Sequence, residues 1–326
     1  MKAIVIKQYG GPEVLALEER PMPVARMGQV LIEVKAFGIN HAEIYFRQGV
    51  WGDVAEISGI ECAGVVKSDP SGQFYSGQKV VALVGGMGRS IDGSYAQYTV
   101  VPAGNVAPVS TELSWETLAA IPESYATAWS CLHGNLALKS GQTLLIRGAT
   151  SALGQAAVNI AAHLGARVIA ATRNAQRSAG LEALGAAAVM LEGPDLQRCV
   201  RERHPHGIDS VLDLIGNTTV LDSLAMASRG GRVCLAGFLG GGGPLVNLEP
   251  VFQIPSERHL SVFASALAIG SAEFPVTGIP FQEIVDHVAK GTYKAAPAHV
   301  FEFDDIQAAH RLVESGQARG KIVIRV

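Results

Sequence analysis

The sequence predicts an α/β protein in which a domain of parallel strands and helices is inserted into a mostly-strand domain formed by both chain ends. From about Thr143 to Ala236, short apolar runs such as "TLLI" alternate with helical patterns such as "ALGQAAVNIAAHL". This alternation is typical of parallel strands joined by helical crossovers. Before about residue 110, runs such as "QVLIEVKAFGI" are separated by Gly, Pro and Asp turns, which indicates strands without intervening helices.

Each element is predicted from its own pattern. In the first part, the predicted strands are "AIVI", "QVLIEVKAFGI", "AGVV", "QKVVALV" and "AQYTVV". In the middle part, the strands "TLLI", "RVIAAT", "SVLDLI" and "RVCLA" alternate with the helices "ALGQAAVNIAAHL", "AQRSAGLEAL" and "VLDSLAMA". After about Ser261, the amphipathic helices "PFQEIVDHVAKG" and "DDIQAAHRLVESG" precede a closing strand, "GKIVIRV". We therefore expect domains at 1–124 and 125–264, with 265–326 returning to the first domain.

Length and charge exclude several classes of function. A chain of 326 residues, 48% of them hydrophobic, is long enough to bury two cores. The net charge of -3 provides no basic field that would attract nucleic acid or an anionic membrane. The start "MKAIVIKQYGGPE" has too few apolar residues for a signal peptide, and no apolar run reaches the length of a membrane span. We expect a cytoplasmic protein whose partner is a small molecule.

Cysteine spacing agrees with that expectation. Cys62, Cys131, Cys199 and Cys234 are far apart and form neither a C-x-x-C motif nor a Cys/His cluster. Such spacing predicts neither a disulfide framework nor a structural zinc site. We expect four buried, reduced thiols.

The stretch "RGATSALGQ" resembles the phosphate turn of a dinucleotide-binding unit, although Ala149 and Ser151 stand where G-x-G-x-x-G would have its first two glycines. Pyrophosphate binds to backbone N–H groups at a helix N-terminus, and small side chains keep that backbone accessible. We therefore expect side-chain size to matter more than identity here, the alternative being a plain connection between strand and helix. The predicted cofactor-binding residues of the turn are Ala149, Ser151, Ala152, Leu153 and Gly154.

The end of the next predicted strand indicates which dinucleotide binds. In an NAD site, an acidic residue about 20 positions after the turn binds the ribose hydroxyls, whereas arginine accommodates a 2′-phosphate. The stretch "VIAATRNAQR" contains no Asp or Glu and offers Thr172, Arg173 and Arg177 instead. We expect these three residues to bind the phosphate of NADPH. The alternative is that both arginines are solvated residues at the start of a surface helix.

Several stretches together carry a family resemblance. They include "VLIEVKAFGINHAEIYFRQG", "GIECAGVV", "GSYAQYTVVP", "LAAIPESYATAW", "LKSGQTLLIRGATSALGQAAVNIAAHLGA", "DLIGN" and "GKIVI". The chain resembles the medium-chain dehydrogenase/reductase superfamily, and within it the zinc-free quinone oxidoreductases related to zeta-crystallin. The resemblance implies a GroES-like substrate domain, a Rossmann domain with a doubly wound parallel sheet, an NADPH site in the cleft and usually a homodimer. Thr127, Phe238 and Arg319 complete the expected cofactor-binding set.

The resemblance also bears on metal binding. In zinc-dependent alcohol dehydrogenases of this superfamily, a Cys ligand stands where this chain has Asn40, and a His ligand where it has Ile60. Glu61 remains, but a single carboxylate cannot complete a tetrahedral zinc site. His41 is the one neighbour that could restore a metal site, and a lone His beside a strand end usually packs or hydrogen-bonds. We expect no metal.

The expected reaction follows from that missing metal. Alcohol oxidation would lack the Lewis acid that stabilises an alkoxide, whereas a quinone or an enone accepts hydride without one. By family analogy, Asn40 and Tyr45 of "GINHAEIYFRQGVW" lie at the nicotinamide end of the site. Tyr45 either bonds the acceptor oxygen and relays a proton or only lines the site. We therefore expect an NADPH-dependent quinone or enone reductase.

Two other functions stay open at this point. One is an enoyl thioester reductase, although Trp51 stands where related thioester reductases have a tyrosine. Such a substrate needs basic residues for its phosphates, and Arg47 and Arg89 are the candidates. The other is a non-catalytic NADPH-binding protein, which would bind the cofactor tightly without losing hydride to any acceptor.

Overall fold

The computed structural model describes all 326 residues, and the chain divides into two compact units. Unit 1 consists of Met1–Ala126, Ser265–Gly291 and Ala295–Val326. Unit 2 consists of Thr127–Ala264 and Thr292–Lys294. Unit 1 is therefore built from both ends of the chain, and unit 2 from its middle.

Fifteen strands form the sheets. In chain order they are β1 (Lys2–Ile6), β2 (Leu15–Glu19), β3 (Gln29–Ile39), β4 (Glu61–Ser68), β5 (Lys79–Leu83), β6 (Tyr98–Pro102), β7 (Val106–Pro108), β8 (Thr143–Arg147), β9 (Arg167–Thr172), β10 (Ala188–Leu191), β11 (Ile208–Asp213), β12 (Ala227–Leu235), β13 (His259–Val262), β14 (His299–Glu302) and β15 (Ile322–Arg325).

Eleven α-helices accompany the strands. They are α1 (His41–Gln48), α2 (Trp115–Ala119), α3 (Pro122–Ser130), α4 (Ala152–His163), α5 (Ser178–Ala183), α6 (Leu196–Arg203), α7 (Val220–Met226), α8 (Pro250–Gln253), α9 (Ser265–Ala268), α10 (Phe281–Ala289) and α11 (Ile306–Glu314). None of them combines the length and the apolar character that crossing a bilayer requires.

Unit 1 is a mostly-β unit centred on its longest strand. Its seven-stranded sheet has the order β14-β15-β3-β4-β5-β7, and β6 pairs with β3. β3 has three partners because β6 pairs with its residues 29–33 and β15 with its residues 36–39, while β4 pairs with it separately and with shifts in register. The end of β3 leads directly into α1, so the sheet fixes the position of that helix.

Unit 2 is a doubly wound parallel sheet. Its strand order is β10-β9-β8-β11-β12-β13, and every pair is parallel. The order reverses beside β8, and in such sheets ligands bind beyond the carboxyl ends of the strands at this reversal. The buried cluster that includes Leu145, Ile169, Val211 and Val233 holds the sheet to its helices.

The predicted fold class is confirmed, and every strand and helix named from the sequence is present. The strand β13 was not identified from the sequence, and it consists of only four residues that are exposed or partly exposed. One expectation about the thiols is wrong: all four cysteines are free, but Cys199 is only partly buried.

Candidate active site

The helix α1 carries the first candidate residues, and its ends explain why it forms here. Asn40 is the N-cap, and its backbone N–H donates to Glu43 Oε2 at 2.8 Å. Gly49 ends the helix at φ 71, a left-handed conformation that glycine adopts readily. A polar cap, a carboxylate three residues later and a terminal glycine therefore define this helix.

Asn40 belongs to a buried polar network in unit 1. Its Nδ2 donates to Glu61 Oε1 at 2.9 Å, and its Oδ1 accepts from Lys321 Nζ at 2.5 Å. Lys321 also forms an ion pair with Glu61, whose other oxygen accepts from the Glu123 backbone N–H at 2.7 Å. Both ends of the Asn40 amide are thus engaged, which fixes its orientation. Sequence reasoning missed Lys321, because it lies at the far end of the chain from its partners.

The residues at this position do not fit a zinc ion. Asn40 and Ile60 offer no thiolate or imidazole, and the Glu61 carboxylate already binds the Lys321 ammonium. A divalent cation beside that ammonium would be repelled. His41 is exposed, and no three His, Cys, Asp or Glu side chains lie close enough together to hold a metal.

Glu43 is a second buried carboxyl of this site that the sequence did not single out. Its Oε1 accepts from the Ile60 backbone N–H at 3.0 Å, and the side chain is fully buried. Burial raises the pKa of Glu43 to about 7, and the Ile60 hydrogen bond opposes that rise. The pattern Asn-x-x-Glu ahead of an apolar helix is the signal that would have indicated its capping role.

Tyr45 lies on the same helix and is partly buried. Its ring centroid is 5.2 Å from that of Trp51, with an interplanar angle of 40°. Burial raises the pKa of the Tyr45 phenol, so the hydroxyl stays protonated and remains a hydrogen-bond donor at neutral pH.

Arg47 is not available to a ligand, which corrects its candidacy for substrate phosphates. Its side chain is fully buried, Nη1 donates to the Gly10 carbonyl at 2.7 Å, and Nη2 is paired with Glu314. These contacts connect α1 with α11 and explain why the arginine is buried.

The phosphate turn in unit 2 begins the helix α4. Ser151 is its N-cap, and its Oγ accepts from Gly154 N at 3.0 Å and donates to the Gly148 carbonyl at 2.9 Å. The N–H groups of Thr150, Ala152 and Leu153 have no acceptor within the chain. Free N–H groups at a helix N-terminus are the donor set that binds phosphate. The hydroxyl of Ser151 therefore also caps the helix, a role that was not expected from the sequence.

The missing glycines of this turn are replaced in two ways. Gly148, one residue before the expected position, has φ 75 and makes the tight turn. Gly154 is required by packing, since a Cβ there would lie 2.6 Å from Ala149 Cα. Ala149 is fully buried and its N–H donates to the Ala171 carbonyl at 3.3 Å, so it presents no donor to a ligand.

The candidate phosphate-binding residues follow β9. Thr172 ends the strand, and its Oγ1 accepts from Asn174 N at 3.2 Å. Arg177 Nη1 donates to Thr150 Oγ1 at 3.3 Å, which brings this guanidinium to the phosphate turn. Arg173 is exposed.

The remaining expected cofactor residues belong to different units and differ in burial. Thr127 is buried and Phe238 is exposed, both in unit 2, whereas Arg319 is an exposed residue of unit 1 with φ 57.

Arg147, immediately before the turn, was not expected to contribute. Its buried guanidinium is paired with Glu192 and Asp222, and Nη1 also donates to Ser223 Oγ at 3.1 Å. Asp213, at the end of the neighbouring strand β11, accepts from Ser223 Oγ at 2.6 Å. This cluster fixes the ends of β8 and β11 beneath the turn.

Two family models match the chain, one in each unit. The alcohol dehydrogenase GroES-like domain matches residues 26–111, and the zinc-binding dehydrogenase domain matches residues 152–281. The second model's name refers to a metal, but the residues around Glu61 described above do not fit one.

Relatives and solved structures align over the whole chain. The quinone oxidoreductase of Lama guanicoe is 26% identical over 99% of this chain and 97% of its own. The crystal structure of Escherichia coli quinone oxidoreductase complexed with NADPH is 26% identical, covers 100% of both chains and superposes with a TM-score of 0.88. A structure of an NAD-dependent alcohol dehydrogenase is 28% identical over 100% of both chains, with a TM-score of 0.84. The chain belongs to the medium-chain dehydrogenase/reductase superfamily, in the branch of the zeta-crystallin-like quinone oxidoreductases.

Proposed function

We propose that this protein catalyses the NADPH-dependent reduction of a quinone or an α,β-unsaturated carbonyl compound, without a metal ion. The observation that carries the proposal is the network of Asn40, Glu61 and Lys321, which places an ammonium ion where zinc-dependent members need ligands. Without a metal to stabilise an alkoxide, an acceptor that delocalises negative charge onto its own oxygen is the substrate class that this site suits.

The turn at the start of α4 supports NADPH as the cofactor. The free N–H groups of Thr150, Ala152 and Leu153 would bind the pyrophosphate, while Ala149 and Gly154 keep the turn compact. Arg173 and Arg177 would bind the 2′-phosphate, and no carboxylate on "TRNAQR" would repel it. Thr172 would hold this loop through its bond to Asn174. When bound, NADPH supplies the hydride.

Further cofactor contacts are proposed from the residues expected at the nicotinamide and phosphate ends. Thr127 and Phe238 belong to the same unit as the phosphate turn, which supports their assignment. Arg319, an exposed cation of unit 1, is proposed as a further contact with the anionic cofactor.

Two residues of unit 1 are proposed for the chemistry. Tyr45, whose phenol is protonated at neutral pH, would donate a hydrogen bond to the acceptor oxygen and so stabilise the charge that develops there. Asn40 would act beside it, with its amide held in one orientation by Glu61 and Lys321. The burial of Arg47 leaves a thioester substrate with fewer cations for its phosphates, which disfavours the enoyl thioester alternative.

A panel of acceptors tests the proposed function. NADPH oxidation would be followed at the nicotinamide absorbance with quinones, enones and enoyl thioesters, each with NADH as the comparison. We expect the highest kcat/KM for a quinone or an enone. Faster turnover of an enoyl thioester would favour the thioester reductase, and tight NADPH binding without turnover of any acceptor would favour the non-catalytic protein.

Assembly and location are part of the same proposal. We propose a homodimer that forms through the edge strand β13, because Val262 on this strand is 60% exposed and Phe252, in the helix α8 that precedes it in the chain, is 82% exposed. An unpaired edge with exposed apolar side chains favours pairing with a second copy. We propose a cytoplasmic location, supported by four cysteines that form no disulfide.

A further inference from the structure

A cavity of about 520 Å³ lies within unit 1. Three segments line it: the chain after α1, the loop after β5, and the region of α9. Ala266, Leu267 and Ile269 give it apolar surface, and its charged lining residues are Arg89 and Asp53. It is large enough for a small aromatic or aliphatic molecule.

Arg89 is the one cationic residue among those that line this cavity, and its guanidinium has no partner within the chain. The side chain is partly buried and makes no hydrogen bond or ion pair with another residue. By contrast, Arg47 of the same unit is paired with Glu314. A partly desolvated guanidinium without a partner, on a residue that lines a cavity, is suited to bind an anion in bidentate fashion.

Backbone and hydroxyl donors lie on the same loop. The N–H groups of Gly85 and Gly86 have no acceptor within the chain, and both residues have positive φ, 61 and 100. The Ser90 Oγ approaches Gly86 so closely that a Cβ on that glycine would lie 2.5 Å from it. Consecutive free N–H groups in a turn form an anion-binding concavity.

The loop is held in this conformation by Asn105. Its Nδ2 donates to the Leu83 carbonyl at 3.2 Å, and a Cβ on Gly85 would lie 1.8 Å from the same nitrogen. Gly270, from the opposite segment of the lining, would clash there too, at 2.1 Å. The donors are therefore fixed in place before any ligand binds, which lowers the entropic cost of binding.

Asp53 indicates how much negative charge the cavity accepts. Asp53 is an exposed residue of the same lining and makes no ion pair with Arg89. One cation facing one anion suits a group with a single negative charge better than a phosphate dianion. A carboxylate fits these donors and this charge.

The segment that contributes Asp53 to the cavity also carries Trp51, which packs against the proposed proton donor Tyr45. In the same segment, the Ala55 backbone N–H donates to Arg89 O at 2.8 Å. We propose that Arg89, with the N–H groups of Gly85 and Gly86, binds a carboxylate of the electron acceptor, so that the preferred acceptor is a quinone or enone carrying a carboxylate. This inference rests on the proposed function, because it assigns the acceptor of the same reaction.

Matched acceptors test the inference. Para-carboxybenzylideneacetone and its methyl ester differ in charge and by one methyl group, and NADPH oxidation would give kcat/KM for each. We expect the wild type to have the higher kcat/KM for the acid. Arg89→Leu should lower the acid-to-ester ratio of kcat/KM by about tenfold or more, mainly by raising KM for the acid, because a charge-assisted pair is lost. Arg26→Leu, which removes an exposed arginine of the same unit, is the control for net charge and should keep the ratio. Asp53→Asn, which removes the negative charge of the lining, should raise the acid-to-ester ratio.

A binding measurement separates failure of this inference from failure of the proposed function. Calorimetric titration with para-carboxybenzylideneacetone needs no turnover, and we expect Arg89→Leu to weaken its binding by about tenfold. If neither the kinetic ratio nor the binding changes in Arg89→Leu, the carboxylate site is wrong while reduction of neutral acceptors can stand. Preference for the para-phosphono analogue over the acid would also overturn it.

Discussion

Lys321 determines what the residues around Glu61 can do. The absence of zinc ligands at Asn40 and Ile60 was visible in the sequence, because those positions fall within stretches that resemble the family. The ion pair between Lys321 and Glu61 was not visible in the sequence, since Lys321 reaches Glu61 only when β15 pairs with β3. A sequence motif can thus show that a metal ligand is missing, whereas the lysine that pairs with Glu61 instead is evident only from the strand pairing.

Glu43 gives a prediction about pH and stability. Its folded pKa is about 7, against about 4.3 in an unfolded chain, so the folded protein binds this proton more tightly. Its contribution to stability is therefore fully present below about pH 4.3 and is lost as the pH rises through 7. We expect Glu43→Gln to flatten the fall in the unfolding free energy over this window, whose slope for one proton is about 1.4 kcal/mol per pH unit at most.

Thermal and denaturant unfolding of the parent protein and of Glu43→Gln at several pH values would measure the slope of the unfolding free energy with pH. Glu112→Gln, at an exposed carboxyl of the same unit, should leave the slope as it is. A Glu43→Gln protein with the slope of the parent would show that Glu43 stays ionised when buried.

Arg173 gives a prediction about cofactor choice. We expect NADPH to bind at least about tenfold more tightly than NADH, a difference of roughly 1.4 kcal/mol, because guanidinium–phosphate bonds commonly supply that much. Arg173→Ala should narrow the difference by weakening NADPH, whereas Arg167→Ala, an exposed arginine at the other end of β9, should not. Equal affinity of the parent for both cofactors, in calorimetric titrations, would contradict the assignment.

At the scale of elements, the position of the turn before α4 was predictable from the sequence, and its conformation only in part. The alternation of strands and helices located it, and its small residues indicated a backbone site. The capping bond of Ser151 and the positive φ of Gly148 depend on backbone angles that the residue types do not specify. The helix α1 was not predicted either, because its apolar residues are few and its end signals were not used.

The turn leads to the next prediction. Ala152→Leu should weaken NADPH binding by at least about tenfold, because a bulky side chain would stand before the free N–H groups. Ser151→Gly should leave NADPH affinity within about twofold and lower stability by only a few tenths of a kcal/mol, the usual loss for a glycine cap. Calorimetric titration gives the affinity, and a thermal melt without cofactor shows whether the fold is retained. If Ala152→Leu binds NADPH like the parent, the turn is only a connection.

At the scale of the molecule, the doubly wound sheet was predictable because its strands and helices alternate in strict order. The six-stranded sheet nevertheless ends in β13, a run of four residues that was too short to be identified from the sequence. A strand whose side chains are exposed in one chain carries no burial pattern until something pairs with it. The apolar character of Leu260 and Val262 is explained if a second copy supplies that pairing.

The dimer prediction follows from this edge. Val262→Lys should shift the protein toward monomer in analytical ultracentrifugation, because a charged lysine on an edge strand blocks pairing. Val300→Lys is the matched control, since Val300 is an exposed apolar residue on the edge strand β14 of the other sheet. A parent protein that is monomeric at micromolar concentration would contradict the proposed dimer.

The central claim is that hydride passes from NADPH to an electron-poor acceptor without a metal. The most direct measurement uses NADPH deuterated at the transferable position, benzylideneacetone as the acceptor, and excess chelator throughout. We predict that NADPH is oxidised, that deuterium appears on the product carbon β to the carbonyl, and that the chelator leaves the rate unchanged. A product without deuterium at that carbon, no NADPH oxidation with this enone or any quinone, or activity lost on chelation would contradict the account.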